Sequence, residues 1–268
     1  MPGLMLLGAD HRVAPLEIRD KLAVKNAELG DVLGRLSRSA HIREVFLLST
    51  NHQTEVYVRG YASALDDIRL FWQERAGIAL DGLTSSIYEK RDHEAVYHLF
   101  THAAGLNSVA TLGAEPLGQI KDSLTAAREA GTVGGYLDAL LSRSIKLARR
   151  IRRDFGPEIE PSEEEEVREG LRREADRFIR WARSRRATTA ISAMKERAEE
   201  IRRGELLKME GKLRHLSPEE REALEALTLS IVNKLLDPSK KALKEAVGLG
   251  DASHYLQAAS ELFDLGDP

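Results

Sequence analysis

Length, composition and charge exclude several kinds of protein. The chain has 268 residues, enough for two domains that each bury a core, and its lack of cysteine rules out disulfides, thiolate metal ligands and thiol nucleophiles. A formal net charge of -3 argues against a dedicated nucleic-acid-binding protein.

The N-terminal part mixes short strands with helices. Leu4 to Gly8 and Val45 to Thr50 are apolar runs, and Thr54 to Tyr61 alternates in the manner of a half-buried strand. The segment from Ala27 to Ser39 predicts a helix with one apolar face, made of Leu29, Val32, Leu33 and Leu36. From His93 to about Arg153 the pattern is helical.

A break then separates this part from a helical C-terminal part. Two prolines and a glycine between Gly156 and Pro161 end the preceding helix, and Ser162 with Glu165 predicts a capping box at the start of a helix reaching about Leu213. Ser217 and the residues after it give a second start signal. That second helix carries an apolar stripe of Leu224, Leu227, Ile231 and Leu235. Two long amphipathic helices with no sheet beneath them predict a bundle shared between two chains.

The predicted fold class is α+β and mostly helical. We expect an α/β domain over residues 1–155, a linker over 156–161 and a long-helix dimerisation domain over 162–268. The apolar run at the N-terminus is too short to span a bilayer and lacks the positive flank of a signal peptide, so we expect a cytoplasmic protein with no membrane contact.

Four collinear segments carry a resemblance to a known family. They are Leu7 to Arg19, Leu47 to Tyr57, the stretch from His98 to Asp122, and Glu225 to Pro238. Together they resemble glutamyl-tRNA reductase, the NADPH-dependent enzyme that commits glutamate to tetrapyrrole (porphyrin) synthesis. The resemblance implies that family's N-terminal domain, with its active-site segment around residue 51, and its dimerisation segment near the C-terminus.

Departures from the family pattern affect the residues that perform the reaction. The resemblance places a nucleophilic cysteine at Asn51, and a carboxamide cannot form the thioester with the glutamyl group. Gln53 stands where the family has a substrate-binding arginine, and His52 where it has an asparagine. A family acidic residue falls on Gly113, or on Glu115 if a gap is allowed. Expected cleft or ligand residues are Ser49, Thr50, Asn51, His52, Gln53, His98, Ser108, Gln119 and His11.

The cofactor domain of the family is also missing from the pattern. Gly131, Gly134 and Gly135 do not have the spacing of a dinucleotide-binding loop, and no βαβ run surrounds them. We therefore expect no NADPH site and no resident cofactor. Imidazoles of His11, His52 and His98 could hold a metal or haem iron, but sequence spacing does not bring them to one point. The presence of a metal therefore stays unknown. A haem or tetrapyrrole ligand stays one alternative.

A basic cluster raises tRNA as another partner. The side chains that could meet phosphates are Arg143, Lys146, Arg149, Arg150, Arg152 and Arg153 and the later Arg180, Arg183, Arg185 and Arg186, although a solvated charged face is the default explanation. The favoured interpretation is a non-catalytic relative of the reductase, a pseudoenzyme that binds a tetrapyrrole, tRNA or a pathway protein. The alternatives are an enzyme with acid-base or metal-assisted chemistry in the old cleft, and a heterodimer with a true glutamyl-tRNA reductase in place of a homodimer.

Overall fold

The computed structural model of the protein describes residues 2–106, 115–156, 159–249 and 253–265. By its internal contacts the chain divides into two compact units, Pro2–Ile179 and Arg180–Pro268. This division falls inside a long helix, whose first turns bury Val167, Leu171 and Phe178 within the first unit. The predicted boundaries, with a linker over 156–161 between the two domains, stay a prediction.

A four-stranded antiparallel sheet forms the centre of the first unit. Its strands are β1 (Gly3–Asp10), β2 (Ile42–Ser49), β3 (Gln53–Gly60) and β4 (Tyr88–Arg91), in the order β2-β3-β1-β4. The three predicted strands are confirmed with bounds shifted by up to three residues, whereas β4 escaped prediction. The expectation that β3 is half-buried was wrong. That strand lies inside the sheet and helices pack on it, so consecutive residues from Gln53 to Val58 are buried.

Helices make up most of the remaining described chain. They are α1 (Leu16–Leu22), α2 (Leu29–Leu36), α3 (Ala64–Ala76), α4 (Leu80–Thr84), α5 (Asp92–Ala103), α6 (Glu115–Glu129), α7 (Gly135–Phe155), α8 (Glu164–Met209), α9 (Pro218–Leu249) and α10 (Ser253–Phe263). The helix predicted over 27–39 is a 3-10 turn, Asn26–Glu28, followed by α2, and its predicted apolar face is buried as expected.

A buried carboxylate on the sheet fixes where α7 begins. Glu44 of β2 accepts backbone N–H groups from Gly134 (2.9 Å) and Leu137 (2.7 Å), which have no partner inside the helix. A Cβ atom at position 134 would lie 2.9 Å from the carboxyl carbon of Glu44, so a larger residue there would have to displace this cap. This cap joins residues about 90 positions apart, which explains why local sequence patterns did not reveal it.

The two predicted starts of the long helices have different outcomes. At α9 the predicted start at Ser217 is confirmed, and it forms a capping box: Glu220 N–H donates to Ser217 Oγ at 3.2 Å, and Ser217 N–H donates to the Glu220 carboxylate at 2.8 Å. At α8 the box predicted for Ser162 and Glu165 is wrong in register. The carboxylate of Glu163 instead accepts the N–H of Glu160 at 3.2 Å, because the turn before the helix begins two residues earlier.

The second unit has a small core of its own. Its buried side chains come from α8, α9 and α10: Ala187, Ala190, Met194, Leu236, Leu243, Ala246, Leu256 and Ala259. The apolar stripe predicted on α9 is not part of this core. Its Leu227, Ile231 and Leu235 are exposed by 58%, 50% and 72%. Leu224 is half-buried. The second unit therefore leaves a row of large apolar side chains uncovered.

Candidate functional site

A tight hairpin carries the position expected for the nucleophile. Residues Asn51 and His52 form the exposed tip between β2 and β3. Thr50 closes the turn, because its N–H donates to the Gln53 carbonyl at 2.8 Å and its hydroxyl accepts the N–H of His52 at 3.2 Å. Arg19 braces the tip through the Asn51 carbonyl at 3.0 Å. Residue 51 therefore lies on a turn that is fixed by hydrogen bonds, and its side chain is an amide.

The polar residues beside the tip point into the protein. Ser49 Oγ accepts the N–H of Val24 at 2.8 Å and lies 3.2 Å from the hydroxyl of Thr54. Gln53 is buried, and its amide nitrogen lies 3.3 Å from Nδ1 of His102. Because an amide nitrogen only donates, that imidazole nitrogen accepts. Ser49 and Gln53 therefore both make hydrogen bonds within the protein, and their role as ligand residues stays a prediction.

His98 belongs to a buried polar cluster centred on Glu55. The carboxylate of Glu55, fully buried in β3, receives hydrogen bonds from His98 Nε2 (2.6 Å), the Tyr88 hydroxyl (2.5 Å) and the Tyr57 hydroxyl (2.8 Å). The Tyr88 ring packs over Gly8 of β1, where a methyl group would collide with it. We call these four side chains, Glu55, His98, Tyr88 and Tyr57, the Glu55 cluster.

The cluster keeps its central carboxylate ionised. Burial raises the pKa of Glu55, but the charge and hydrogen bond of His98, aided by His102 and Tyr88, outweigh burial and lower this pKa to about 2. An ionised carboxylate can only accept, so Nε2 of His98 carries the hydrogen. Burial followed by the charge of Glu55 raises the pKa of Tyr88 well above its ordinary value, so its hydroxyl remains a donor.

The neighbouring His102 behaves in the opposite way. Burial lowers its pKa, and the attraction of Glu55 opposes this only in part. His102 is therefore a neutral imidazole behind the cluster, held by Gln53. Glu55, Tyr88 and His102 were not predicted as site residues, although a charged residue inside the apolar run of β3 is a signal that can indicate a buried ion pair.

A cleft opens on the outer side of His98. Its volume is about 320 Å³. The lining residues come from β4, α5, the first turns of α8 and the end of β1: Arg12, Lys90, His93, Glu94, Tyr97, His98, Thr101 and Arg168. The hairpin tip with Asn51 and His52 is not among the residues that line this cleft.

The remaining expected site residues are dispersed. His11 is exposed at the end of β1, where its N–H donates to the His52 carbonyl at 3.1 Å, while His98 lies buried in its cluster. Gln119 is half-buried on α6. Ser108, Gly113 and the side chain of Glu115 lie outside the described residues. Among the residues that are described, no group of three or more His, Cys, Asp or Glu side chains converges as a metal site would require.

Part of the basic cluster on α7 is engaged within its own unit. Glu174 of α8, 6% exposed, binds Arg143 at 3.0 Å, Arg150 at 3.2 Å and Arg177 at 2.7 Å. These arginines neutralise a buried carboxylate and help to hold α8 against α7, so fewer charges remain for a phosphate backbone.

Within the described residues, no helix combines the length and the apolar character needed to cross a bilayer.

Comparisons with known proteins identify relatives of both parts of the chain. The family model of the glutamyl-tRNA(Glu) reductase N-terminal domain matches residues 7–155, and that of the reductase dimerisation domain matches 166–265. Glutamyl-tRNA reductases of Pseudomonas putida, Stenotrophomonas maltophilia and Salinispora tropica are 33%, 38% and 35% identical over 150, 152 and 155 residues. These alignments cover 56%, 56% and 57% of this chain but only 35%, 34% and 34% of the relatives. The chain thus spans about a third of the length of these relatives.

A solved structure has the same fold. The glutamyl-tRNA reductase of Methanopyrus kandleri superposes with a TM-score of 0.67, over 97% of this chain and 99% of that chain, at 14% identity. This similarity concerns the fold alone.

Proposed function

The chain belongs to the glutamyl-tRNA reductase family, and from this premise we propose that it is a non-catalytic member, a binding or regulatory protein connected with tetrapyrrole biosynthesis. The observation that carries the proposal is the exposed hairpin tip. An amide, Asn51, occupies the place of the family nucleophile, and the hydroxyls of Ser49 and Thr50 are engaged in local hydrogen bonds. Neither hydroxyl is poised to replace the missing thiolate.

The environment of Gln53 supports the same conclusion. The resemblance places a substrate-binding arginine at this position, yet Gln53 is buried against His102. A buried neutral amide cannot form the bidentate ion pair that an arginine makes with a carboxylate. Recognition of a glutamyl group therefore loses its charged contact together with its nucleophile.

The chain between the two matched segments does not fit a nicotinamide site. Only residues 156–165 separate the two family matches. A single βαβ unit of a dinucleotide-binding fold takes about 30 residues or more. We therefore propose that this protein has no NADPH site and performs no hydride transfer.

The direct test is the family reaction itself. Purified protein is incubated with glutamyl-tRNA and NADPH, with a full-length relative as positive control, and glutamate-1-semialdehyde is measured. We expect no product above background and no glutamyl adduct on the protein by mass spectrometry. Turnover, or a covalent adduct, would refute the proposal.

A second candidate function follows from the position of His98. Glu55 orients the imidazole of His98, as a carboxylate orients the histidine of an acid-base catalyst, and His98 lines the open cleft. Such an enzyme could hydrolyse an ester by activating water. Deacylation of glutamyl-tRNA without NADPH, abolished in His98→Gln and retained in the exposed-residue control His215→Gln, would favour this candidate over the first. Equal, background rates in all three proteins would exclude this hydrolysis.

We also propose that the protein forms a homodimer through Leu224, Leu227, Ile231 and Leu235. The family match over 166–265 is to a dimerisation domain, and three of these four side chains are exposed in the single chain. A heterodimer with a full-length reductase would use the same stripe. Co-expression of this chain and a full-length reductase, each with its own tag, distinguishes the homodimer from the heterodimer. Co-purification of the two chains would indicate the heterodimer, whereas a homodimer that persists in the presence of the reductase argues against it.

Tetrapyrrole and tRNA binding stay proposals with simple tests. A Soret band shift on adding haem would indicate axial ligation by a histidine. Binding of tRNA that weakens steeply with salt would indicate phosphate contacts by the arginines of α7 that Glu174 does not engage.

A further inference from the structure

The cleft beside His98 is rich in hydrogen-bond donors. Three cationic side chains line it, Arg12, Lys90 and Arg168, together with one carboxylate, Glu94. His93 also lines it and lies 3.1 Å from Asp176, so that imidazole is turned toward an acid. The cleft belongs entirely to the first unit, and its lining does not include the hairpin tip.

Arg12 is fixed by a buried acid so that part of its guanidinium stays available. Asp10, 1% exposed, accepts from Arg12 Nε at 2.9 Å and from Nη2 at 2.5 Å, and it also accepts the Arg12 N–H at 2.9 Å. Within the described chain, Nη1 of Arg12 has no hydrogen-bond partner. An arginine held on one edge by a carboxylate offers its other edge as a preorganised anion receptor.

Arg168 is held in a similar way from the facing helix. Its Nε and Nη2 donate to the Glu164 carboxylate at 2.8 and 2.6 Å, and Nη2 lies 3.4 Å from the carbonyl of Leu106. The side chain is 26% exposed. Because three contacts restrict its rotamers, little conformational entropy remains to be lost when an anion binds.

Lys90 supplies a positive charge that no acid neutralises. Its ammonium lies 5.7 Å from the centre of the Tyr88 ring, and among the described residues no carboxylate lies within ion-pair distance of it. Asp10 and Glu164 compensate Arg12 and Arg168, and Glu94 at the rim is exposed. The cleft therefore combines one uncompensated cation with two oriented guanidinium groups.

From this arrangement we infer that the cleft binds a small oxyanion, an organic carboxylate or a phosphate, through Arg12, Lys90 and Arg168. Planar guanidinium groups match the oxygens of either anion, and the volume of about 320 Å³ admits a short carbon chain between two acidic groups. This site goes beyond the proposed function, since binding requires no tRNA, no nucleophile and no reductant.

The test is isothermal titration of the full chain with two probes, succinate and inorganic phosphate, at low salt. We expect saturable binding of at least one probe. Binding of succinate identifies an organic carboxylate as the ligand class, and binding of phosphate identifies a phosphate. Lys90→Gln should weaken binding by about tenfold or more, while the exposed α1 control Lys21→Gln leaves it unchanged.

A second matched pair guards against an effect on folding. Arg168→Gln should weaken binding to a similar degree, whereas Arg173→Gln, an exposed arginine paired with Glu169 on the same helix, should not. Circular dichroism verifies that each variant is folded. Absence of saturable binding of both probes, or equal affinity in the Lys90 and Lys21 variants, would overturn the inference. Neither result depends on whether the reductase assay gives product.

Discussion

The two units of this protein differ in which side chains they bury and which they expose. In the first unit, Glu55 and Glu174 are buried charged residues, and each is surrounded by donors that neutralise it. In the second unit, Leu227, Ile231 and Leu235 are large apolar residues that stay exposed. Both of these buried carboxylates therefore find their partners among the described residues of the first unit itself. The second has an apolar surface that only another surface can cover.

The comparison also bears on function. Gln53, at the position where the resemblance places a substrate-binding arginine, is buried beside His102, and Thr50 closes the hairpin turn. The apolar stripe of the second unit is the surface through which we propose that two chains associate. The proposed loss of the family reaction and the proposed dimer therefore rest on different units and can be tested separately.

The largest effect should come from removing the centre of the Glu55 cluster. Glu55→Leu keeps a similar volume but leaves two hydroxyl donors and His98 without their acceptor, and it should lower the free energy of unfolding by about 3–5 kcal/mol. Urea denaturation measures the loss. The control Glu17→Gln, on the exposed side of α1, should change stability by less than about 0.5 kcal/mol. Equal losses in both variants would show that the cluster does not stabilise the unit.

The next effect concerns association through the second unit. Ile231→Glu places a charge in the proposed homodimer interface and should raise the dimer dissociation constant by about 30-fold or more. Light scattering across a dilution series measures it. Leu70→Glu is the control, because Leu70 is 60% exposed but lies on α3 of the first unit. A dimer that survives the change at Ile231 unaltered would place the interface elsewhere.

A smaller effect is a loss of stability on mild acidification. The folded pKa of His102 lies below its ordinary value of 6.5, so the unfolded chain takes up a proton first as the pH falls. Stability should therefore fall as the pH is lowered through about 6.5, and Glu55, with its pKa of about 2, adds a second loss between pH 4.5 and 2. Thermal unfolding from pH 8 to 5 measures the first loss.

His102→Gln should flatten that dependence, because the side chain that takes up the proton is gone. His215→Gln, at an exposed position between α8 and α9, should keep the wild-type slope. Identical slopes in the two variants would mean that His102 is not the titrating group.

The smallest effect tests the two helix starts against each other. Ser217→Ala removes a side chain that accepts the N–H of Glu220, and it should cost about 1 kcal/mol of stability. Ser162→Ala should cost less, because Glu163 makes the hydrogen bond at that start. Differential scanning calorimetry compares them. A larger loss at Ser162 would restore the capping box predicted from the sequence.

Local patterns predicted much of the fold because they report local physics. The apolar face of α2 and the helix start at Ser217 depend on residues three or four positions apart, and both are confirmed. The prediction that β3 is half-buried was wrong because burial of this strand depends on which strands and helices lie beside it. The cap of α7 by Glu44 escaped for the same reason.

For the candidate site, the sequence by itself determined which atoms are present: no sulfur nucleophile, an amide at residue 51 and no dinucleotide-binding segment between the two matched parts. Only the tertiary structure decided which of the remaining polar groups meet. It joined His98 to Glu55 and Gln53 to His102, and it brought Arg12, Lys90 and Arg168 to one cleft. The physical reason is that hydrogen bonds and ion pairs act over a few ångströms, whereas the residues that make them lie tens of positions apart in the chain.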